Sequence, residues 1–402
     1  MRVLLLAPVF PYPPNYGGAV RTWNLLVNVA ERHEVDLLAL TKVGVPSEHL
    51  DEVRKVCRHA EVVWYQPEQD PPLVDTRPRT VKEHSSDGFR QRVRELMSAR
   101  RYDLVHLECA QMGAYLAEAR ACPVLLDAHD LLSRLLLRGA RMAKWSGGKV
   151  SGWWEYLKMV AWESRVWATV DCVVTVCEQE KRIVEAFAPR ASVVCLENGV
   201  DLERFLFTSE GRDRNVILFV GYMRYPPNVD ALVHFYRCVF PLILGQRPET
   251  RLHVVGAGME TDLPLRAPEA EAEMRADPQV RLVGTVEDIH PHLASAAALV
   301  VPLRVGAGTR VRILEAFAAG LPVVSTSLGA EGLPVQEGRE LRLADEPATF
   351  AKAVVEVLDD PAKAAAMAGR ARQLVERHYD WRALAQRLNG VYQTLGSGGK
   401  PT

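Results

Sequence analysis

The chain has no long apolar run, no paired-cysteine pattern and almost no net charge. Its longest hydrophobic stretches are strand-sized, which argues against a spanning helix. The cysteines, Cys57, Cys109, Cys122, Cys172, Cys177, Cys195 and Cys238, are scattered and odd in number. Without a CxxC pair they predict buried free thiols rather than a disulfide framework or a zinc site. Lys and Arg number 49 against 50 Asp and Glu, so no global field draws the chain to nucleic acid. There is no GxGxxG and no Walker lysine, which weakens the case for a dinucleotide oxidoreductase or a P-loop NTPase. An Asp-x-Asp cation motif is also missing, so no metal site and no cofactor are expected. What remains is ordinary: 402 residues, 48% hydrophobic and 25% charged, enough for two or three domains with proper cores. A disordered chain, a collagen and a disulfide miniprotein are excluded.

Met1–Pro8 imitates a signal peptide, but Pro8, Pro11, Pro13 and Pro14 interrupt it and no small-x-small site follows. It is expected to be the buried first strand of a cytoplasmic protein. Strands are predicted at Val3–Ala7, Val35–Leu40, Ala60–Trp64, Leu104–Leu107, Val124–Leu126, Val173–Val176 and Val193–Leu196. Apolar strands alternating with helices, such as Ala19–Arg32, imply a parallel sheet covered on both faces. The grammar restarts with strands at Val216–Val220, Leu252–Val255, Val280–Leu282, Ala298–Pro302 and Pro322–Ser325. Helices are predicted at Asn228–Phe240, Thr309–Ala319, Phe350–Leu358, Pro361–His378 and Trp381–Leu395. The polar stretch Asp201–Asn215 reads as the join. The fold class is therefore α/β, two doubly wound domains, with ligands expected beyond the carboxyl ends of the strands in a central cleft.

Gly17-Gly18 follows the first strand and opens a helix; its bare amides suit an anion, or simply a tight turn. The run Gly306-Ala307-Gly308-Thr309-Arg310-Val311-Arg312-Ile313-Leu314-Glu315 joins a buried strand to a helix. Its glycines admit close approach, Thr309 suits the cap, and the helix end with Arg310 forms a metal-free diphosphate site. Glu315 lies further along that helix, suited to sugar hydroxyls. The competing reading is a capped helix with a surface Arg–Glu face. Asp127-Ala128-His129-Asp130 ends another strand, so His129 either bonds a sugar or is held by backbone while Asp130 or Ser133 caps the next helix. Glu108, Gln111 and Met112 end a third strand and either line an acceptor pocket or are ordinary loop residues. Asn198-Gly199-Val200-Asp201 reads first as a turn, and His290 with His292 as surface or capping residues.

Taken in order, Val301-Pro302-Leu303, Gly306-x-Gly308-Thr309-Arg310-x-Arg312-x-Leu314-Glu315-Ala316-Phe317-Ala318-x-Gly320-x-Pro322-Val323-Val324 and Gly329-Ala330-Glu331-Gly332-Leu333 resemble the donor-binding segment of family-4 retaining glycosyltransferases. The Gly17-Gly18 loop, the Asn198-Gly199-Val200-Asp201 hinge and the terminal Tyr379-Asp380-Trp381 match the same pattern, so the similarity spans nearly the whole chain. The resemblance implies a GT-B fold of two Rossmann-like domains, here 1–205 for the acceptor and 206–380 for the nucleotide sugar. It also implies a last helix, 381–395, that returns to the first domain. Glu315 then corresponds to the second acid of a paired-glutamate motif that holds the ribose. His129 matches the histidine near the transferred sugar, and Gly18 the glycine facing phosphate. Two departures stand out: Ala307 replaces the first acid, and the usual Arg…Lys pair is absent from Gly221-Tyr222-Met223-Arg224-Tyr225-Pro226-Pro227-Asn228.

The activity implied is metal-independent, hexosyltransferase-like transfer, with retention, from a nucleotide-diphosphate sugar to a saccharide, lipid-linked or small-molecule acceptor. Same-face attack is expected, with the leaving diphosphate stabilised by Arg224, Arg310 and the helix end. The alternatives are a nucleotide-sugar epimerase of the same fold and a non-catalytic sugar-nucleotide-binding protein. Five of the eight tryptophans (Trp145, Trp153, Trp154, Trp162 and Trp167) crowd the segment 131–168 among Arg and Lys. That composition suits a peripheral contact with the inner face of a membrane. The competing reading puts Trp153, Leu157, Val160 and Trp167 on one buried helix face.

Overall fold

Continuous apolar runs produce two all-parallel sheets in a computed structural model that describes residues 1–14, 17–66, 76–142, 147–208, 210–306 and 311–401, without the side chains of 142 and 147–149. The chain divides into two compact units, Met1–Asn198 with Trp381–Thr402, and Gly199–Asp380.

The first unit holds β1 (Arg2–Ala7), β2 (Glu34–Thr41), β3 (His59–Trp64), β4 (Leu104–Glu108), β5 (Val124–Asp127), β6 (Cys172–Thr175) and β7 (Val193–Cys195) in the order β3-β2-β1-β4-β5-β6-β7. Strands β1, β4, β5 and β6 are buried along nearly their whole length, as continuous apolar runs in a doubly covered sheet require. The order reverses between β1 and β4. At such a switch the adjoining loops diverge and leave a crevice, so the chemistry is looked for at the carboxyl ends of β1, β4 and β5. The last helix, Trp381–Gly396, packs on the first helix, Gly17–Ala30.

The second unit holds β8 (Asp213–Val220), β9 (Arg251–Val255), β10 (Val280–Gly284), β11 (Ala296–Val301), β12 (Val323–Ser325) and β13 (Arg342–Leu343) in the order β10-β9-β8-β11-β12-β13. Its switch lies between β8 and β11. One apolar cluster around Phe235, Phe240 and Phe350 and another around Phe317, Leu299 and Leu314 pack the unit.

The polar stretch read as a join belongs to the second unit. Asp201 accepts from the amides of Glu203 and Arg204, and Phe205 is buried. Arg212 donates to the carbonyls of Leu293, Ala296, Thr208 and Ala319, and Asp213 already opens β8. Polarity here satisfies backbone groups, so it does not mark a linker. All seven cysteines are unbridged.

The tryptophan-rich segment forms two helices, Leu132–Met142 and Gly147–Trp167. Trp167 is buried, and Trp162 donates its Nε1–H to the Ala110 carbonyl at 2.9 Å. Trp153 and Leu157 are exposed with Val150 and Trp154, so the single buried face does not form. The second helix is apolar on both sides, and helical spacing puts these four on the outer one. Trp145 lies outside the described residues. No helix among the described residues is long and apolar enough to cross a membrane.

Candidate active site

In the first unit, β4 and β5 pair with Glu108 opposite Asp127, so two carboxylates reach the carboxyl edge side by side. Among the described residues, only two non-glycine positions have positive φ: Cys109 at 68° and His129 at 54°. Cys109 directly follows the end of β4, and His129 comes two residues after the end of β5. Left-handed backbone is unfavourable for such residues and clusters where surrounding structure holds a functional side chain.

The backbone turn points His129 back at Glu108: its Nε2 bonds Glu108 Oε2, and its amide donates to Asp127 Oδ1 at 3.3 Å. Thr22, from the first helix, donates to the same Glu108 oxygen at 3.2 Å. Asp127 is paired with Arg21 Nε at 2.8 Å, both side chains being essentially inaccessible. Arg21 Nη1 also donates to the Glu197 carbonyl at 3.0 Å and to Asn198 Oδ1 at 3.1 Å. His106, two residues before Glu108 on the same sheet face, bonds the Tyr392 hydroxyl through Nδ1 at 2.6 Å. Its Nε2 lies 3.6 Å from Glu108 Oε1.

Burial pushes His129 toward its neutral form, but Cys109 and the carboxylates of Glu108 and Asp127 outweigh it and hold the imidazole well above its ordinary pKa. We therefore read His129 as cationic near neutral pH. Burial likewise raises Asp127, yet Arg21, His129 and His106 overcome this and keep it below the usual range. For His106 burial dominates and lowers the pKa, leaving a neutral ring. Ligand atoms of His106, Glu108 and Asp127 lie within 4.8 Å of one another, a spacing that suits a cation. Arg21 and His129 already neutralise those two acids, so a metal would have to displace both.

The other residues named from sequence fall as follows. Met112 has no exposed surface and packs in the core, where a sulfur side chain fills space rather than lines an acceptor pocket. Gln111 is nearly buried, with its Oε1 unbonded. The helix after His129 begins at Leu132. The carboxylate of Glu163, from the following helix, accepts from the amides of Leu132 at 2.8 Å and Ser133 at 3.3 Å. Burial pushes that carboxyl up to about 7. Gly18 stands in the first turn of its helix.

In the second unit the switch-point loops are braced against one another. Gly221 N donates to Val255 O at 3.0 Å and Met223 N to Ala257 O at 2.9 Å. At Gly256, with φ of 143°, an added Cβ would lie 1.9 Å from the Gly221 carbonyl, so only glycine fits. Arg224 is mostly exposed, its Nε 3.7 Å from Asp262 Oδ2. Gly306 has φ of 147°. Ala307, Gly308, Thr309 and Arg310 lie outside the described residues. The helix Val311–Ala318 follows, and Arg312 Nη1 sits 2.5 Å from Glu315 Oε2, with Glu315 almost fully buried. Gly329 explains itself by packing: a Cβ there would meet Ser325 Oγ at 2.4 Å and Val301 O at 2.8 Å.

The cluster joins His129 and Glu108, which the sequence singled out, to Arg21, Thr22, His106 and Tyr392, which it did not. Arg21 had a signal, a charge on the otherwise apolar face of a helix one turn after Gly17-Gly18. Tyr392 had none, since it sits in the apolar stripe of the last helix.

Two Rossmann-like parallel-sheet units, each with its switch point at the carboxyl edge, define the GT-B class of fold. The description "Glycosyltransferase Family 4" matches residues 16–204, and "Glycosyl transferases group 1" matches 214–360. The chain belongs to the family-4 glycosyltransferases. Among curated relatives, glycogen synthase of Mycobacterium tuberculosis is 32% identical over 220 residues, 52% of this chain and 50% of that protein. The match thus spans about half the length of that relative. Among solved structures, sucrose-phosphate synthase from Thermosynechococcus elongatus has a TM-score of 0.74 at 18% identity, covering 99% of this chain and 100% of that one. HepE of Anabaena in complex with UDP-glucose has a TM-score of 0.68 at 17% identity, covering 98% and 100%.

Proposed function

We propose that the protein is a retaining, hexosyltransferase-like glycosyltransferase that moves a sugar from a nucleotide-diphosphate donor to a saccharide, lipid-linked or small-molecule acceptor. The observation that carries this reading is His129, held in left-handed backbone by two buried carboxylates at the edge of its sheet. A cationic imidazole there donates a hydrogen bond to the transferred sugar and stabilises negative charge as the glycosidic bond breaks. In the second unit, Arg224 and Arg310, with the helix end near Thr309, neutralise the leaving diphosphate, and Glu315 accepts from the ribose. Gly306 and Gly308 let the donor approach the backbone; Gly18 offers its amide to phosphate. The departing phosphate oxygen takes the acceptor's proton, so attack occurs on the face the leaving group vacates and configuration is retained. No metal enters this scheme. Glu108 and Gln111 serve the acceptor side of the first unit.

The bound donor in the HepE structure, UDP-glucose, is the first to try. The exposed stripe of Val150, Trp153, Trp154 and Leu157 favours a peripheral contact with a membrane that presents a lipid-linked acceptor. The deciding experiment incubates the protein with a panel of nucleotide sugars, with and without acceptors and with and without a chelator, and identifies products by mass spectrometry. Acceptor-dependent, chelator-resistant transfer supports the proposal. Conversion of the donor without acceptor indicates an epimerase, and binding without turnover a sugar-nucleotide-binding protein. Abolition by chelator, with rescue by magnesium or manganese, refutes the metal-free phosphate site.

A further inference from the structure

The last helix follows the whole second unit in sequence, yet Tyr392 reaches the buried side of the first unit's site. Its hydroxyl lies 2.6 Å from Nδ1 of His106, and its ring meets His106 edge-on at 5.9 Å. His106 Nε2 is buried, has no hydrogen-bond partner, and faces Glu108 Oε1 at 3.6 Å. One tautomer reconciles these facts. If Nδ1 carried the proton, the lone pair of Nε2 would point at an ionised carboxylate in a dry interior, which is strongly unfavourable. With the Tyr392 O–H donating to Nδ1, the proton sits on Nε2 and its positive end faces Glu108.

We propose that Tyr392 is a positioning residue for His129: through His106 it fixes the dipole that keeps Glu108 in the orientation that grips the His129 imidazole. The chain of contacts runs from Tyr392 on the last helix, through His106 and Glu108 on β4, to His129 beyond β5. The other groups facing this cluster are Asp127 on β5, Cys109 after β4, and Arg21 and Thr22 on the first helix. Thr22 and His106 are the neutral side chains whose polar atoms meet the Glu108 carboxylate directly. Glu108 takes bonds from Thr22 and His129 on Oε2, so loss of the dipole leaves Oε1 without the positive end that faces it. The carboxylate then rotates, and His129 loses its partner.

This inference rests on the reading of His129 as the group at the transferred sugar, and the test separates the two. Histidine ring resonances of the full-length protein are titrated by NMR in wild type, Tyr392→Phe and Asn389→Ala. Asn389 Oδ1 bonds the buried His33 at 3.1 Å, a second anchor of the same helix that does not touch Glu108. In Tyr392→Phe the His129 midpoint should fall by about half a unit or more, while Asn389→Ala leaves it in place. With the nucleotide sugar identified by the panel, Tyr392→Phe should lose roughly fivefold in kcat, the equivalent of one neutral hydrogen bond, with donor KM within about twofold. The pH profile of kcat should move with the His129 midpoint. An unmoved midpoint in Tyr392→Phe, or an equal shift in Asn389→Ala, overturns the proposal. A shifted midpoint with unchanged kcat upholds the chain of contacts and overturns the catalytic reading of His129.

Discussion

Replacing Arg21 by Met isolates the strongest electrostatic commitment in the first unit. Arg21 and Asp127 are 2.8 Å apart, with side-chain exposures of 1% and 0%. Methionine fills much of the volume but leaves Asp127 buried with neither its cation nor that donor. Removing one partner of such a pair costs about 3–5 kcal/mol. For a unit of this size that corresponds to a fall of roughly 10 °C in its midpoint. The effect depends on pH, and the sign follows from Asp127. In wild type its pKa is depressed, so it contributes stability above the carboxylate's unfolded value of about 3.9, lost as pH falls through the lower folded value. In Arg21→Met burial dominates, so the folded pKa rises above the unfolded one. The destabilisation is then full well above that raised value and shrinks as pH falls and Asp127 takes up a proton. Urea unfolding, followed by hydrogen exchange of β5 amides at pH 8 and pH 5, measures both gaps. Arg21→Met/Asp127→Asn should recover part of the loss at pH 8. A loss below about 1 kcal/mol, or one that is the same at both pH values, would refute the reasoning.

Three further outcomes are expected. Arg310→Ala should weaken donor binding by about 1.5–3 kcal/mol without unfolding the protein; calorimetric titration checks this, and unchanged affinity removes Arg310 from the site. His129→Ala should lower kcat far more than donor affinity, whereas a thermal-stability loss that fully accounts for the activity loss would assign the ring a structural role. Co-sedimentation with vesicles should rise with anionic lipid, fall with salt, and drop in Trp154→Glu/Leu157→Glu; no binding at low salt to strongly anionic vesicles would leave the exposed stripe without a lipid partner.

What local pattern alone determined here is substantial. Apolar runs broken by helical spacing located most of the strands to within a residue or two, because strand burial in a doubly covered sheet is written in consecutive residues. Gly306 after β11 was equally legible, since its φ of 147° demands glycine at the position itself. His129 stood out because it follows a strand end, where such sheets place ligands. Partners were another matter. Arg21 and Asp127 are 106 residues apart, and Tyr392 and His106 are 286 apart. Glu163 accepts from the first amides of a helix 30 residues upstream of it, a pairing that no local pattern announces. The polar stretch after Asp201 looked like a linker and instead satisfies carbonyls within the second unit. Local propensity follows from the covalent neighbours of a residue, which the sequence contains. Which buried charge meets which, and therefore which imidazole is held cationic, depends on how strands and helices distant in the chain converge, and only the tertiary structure decides that.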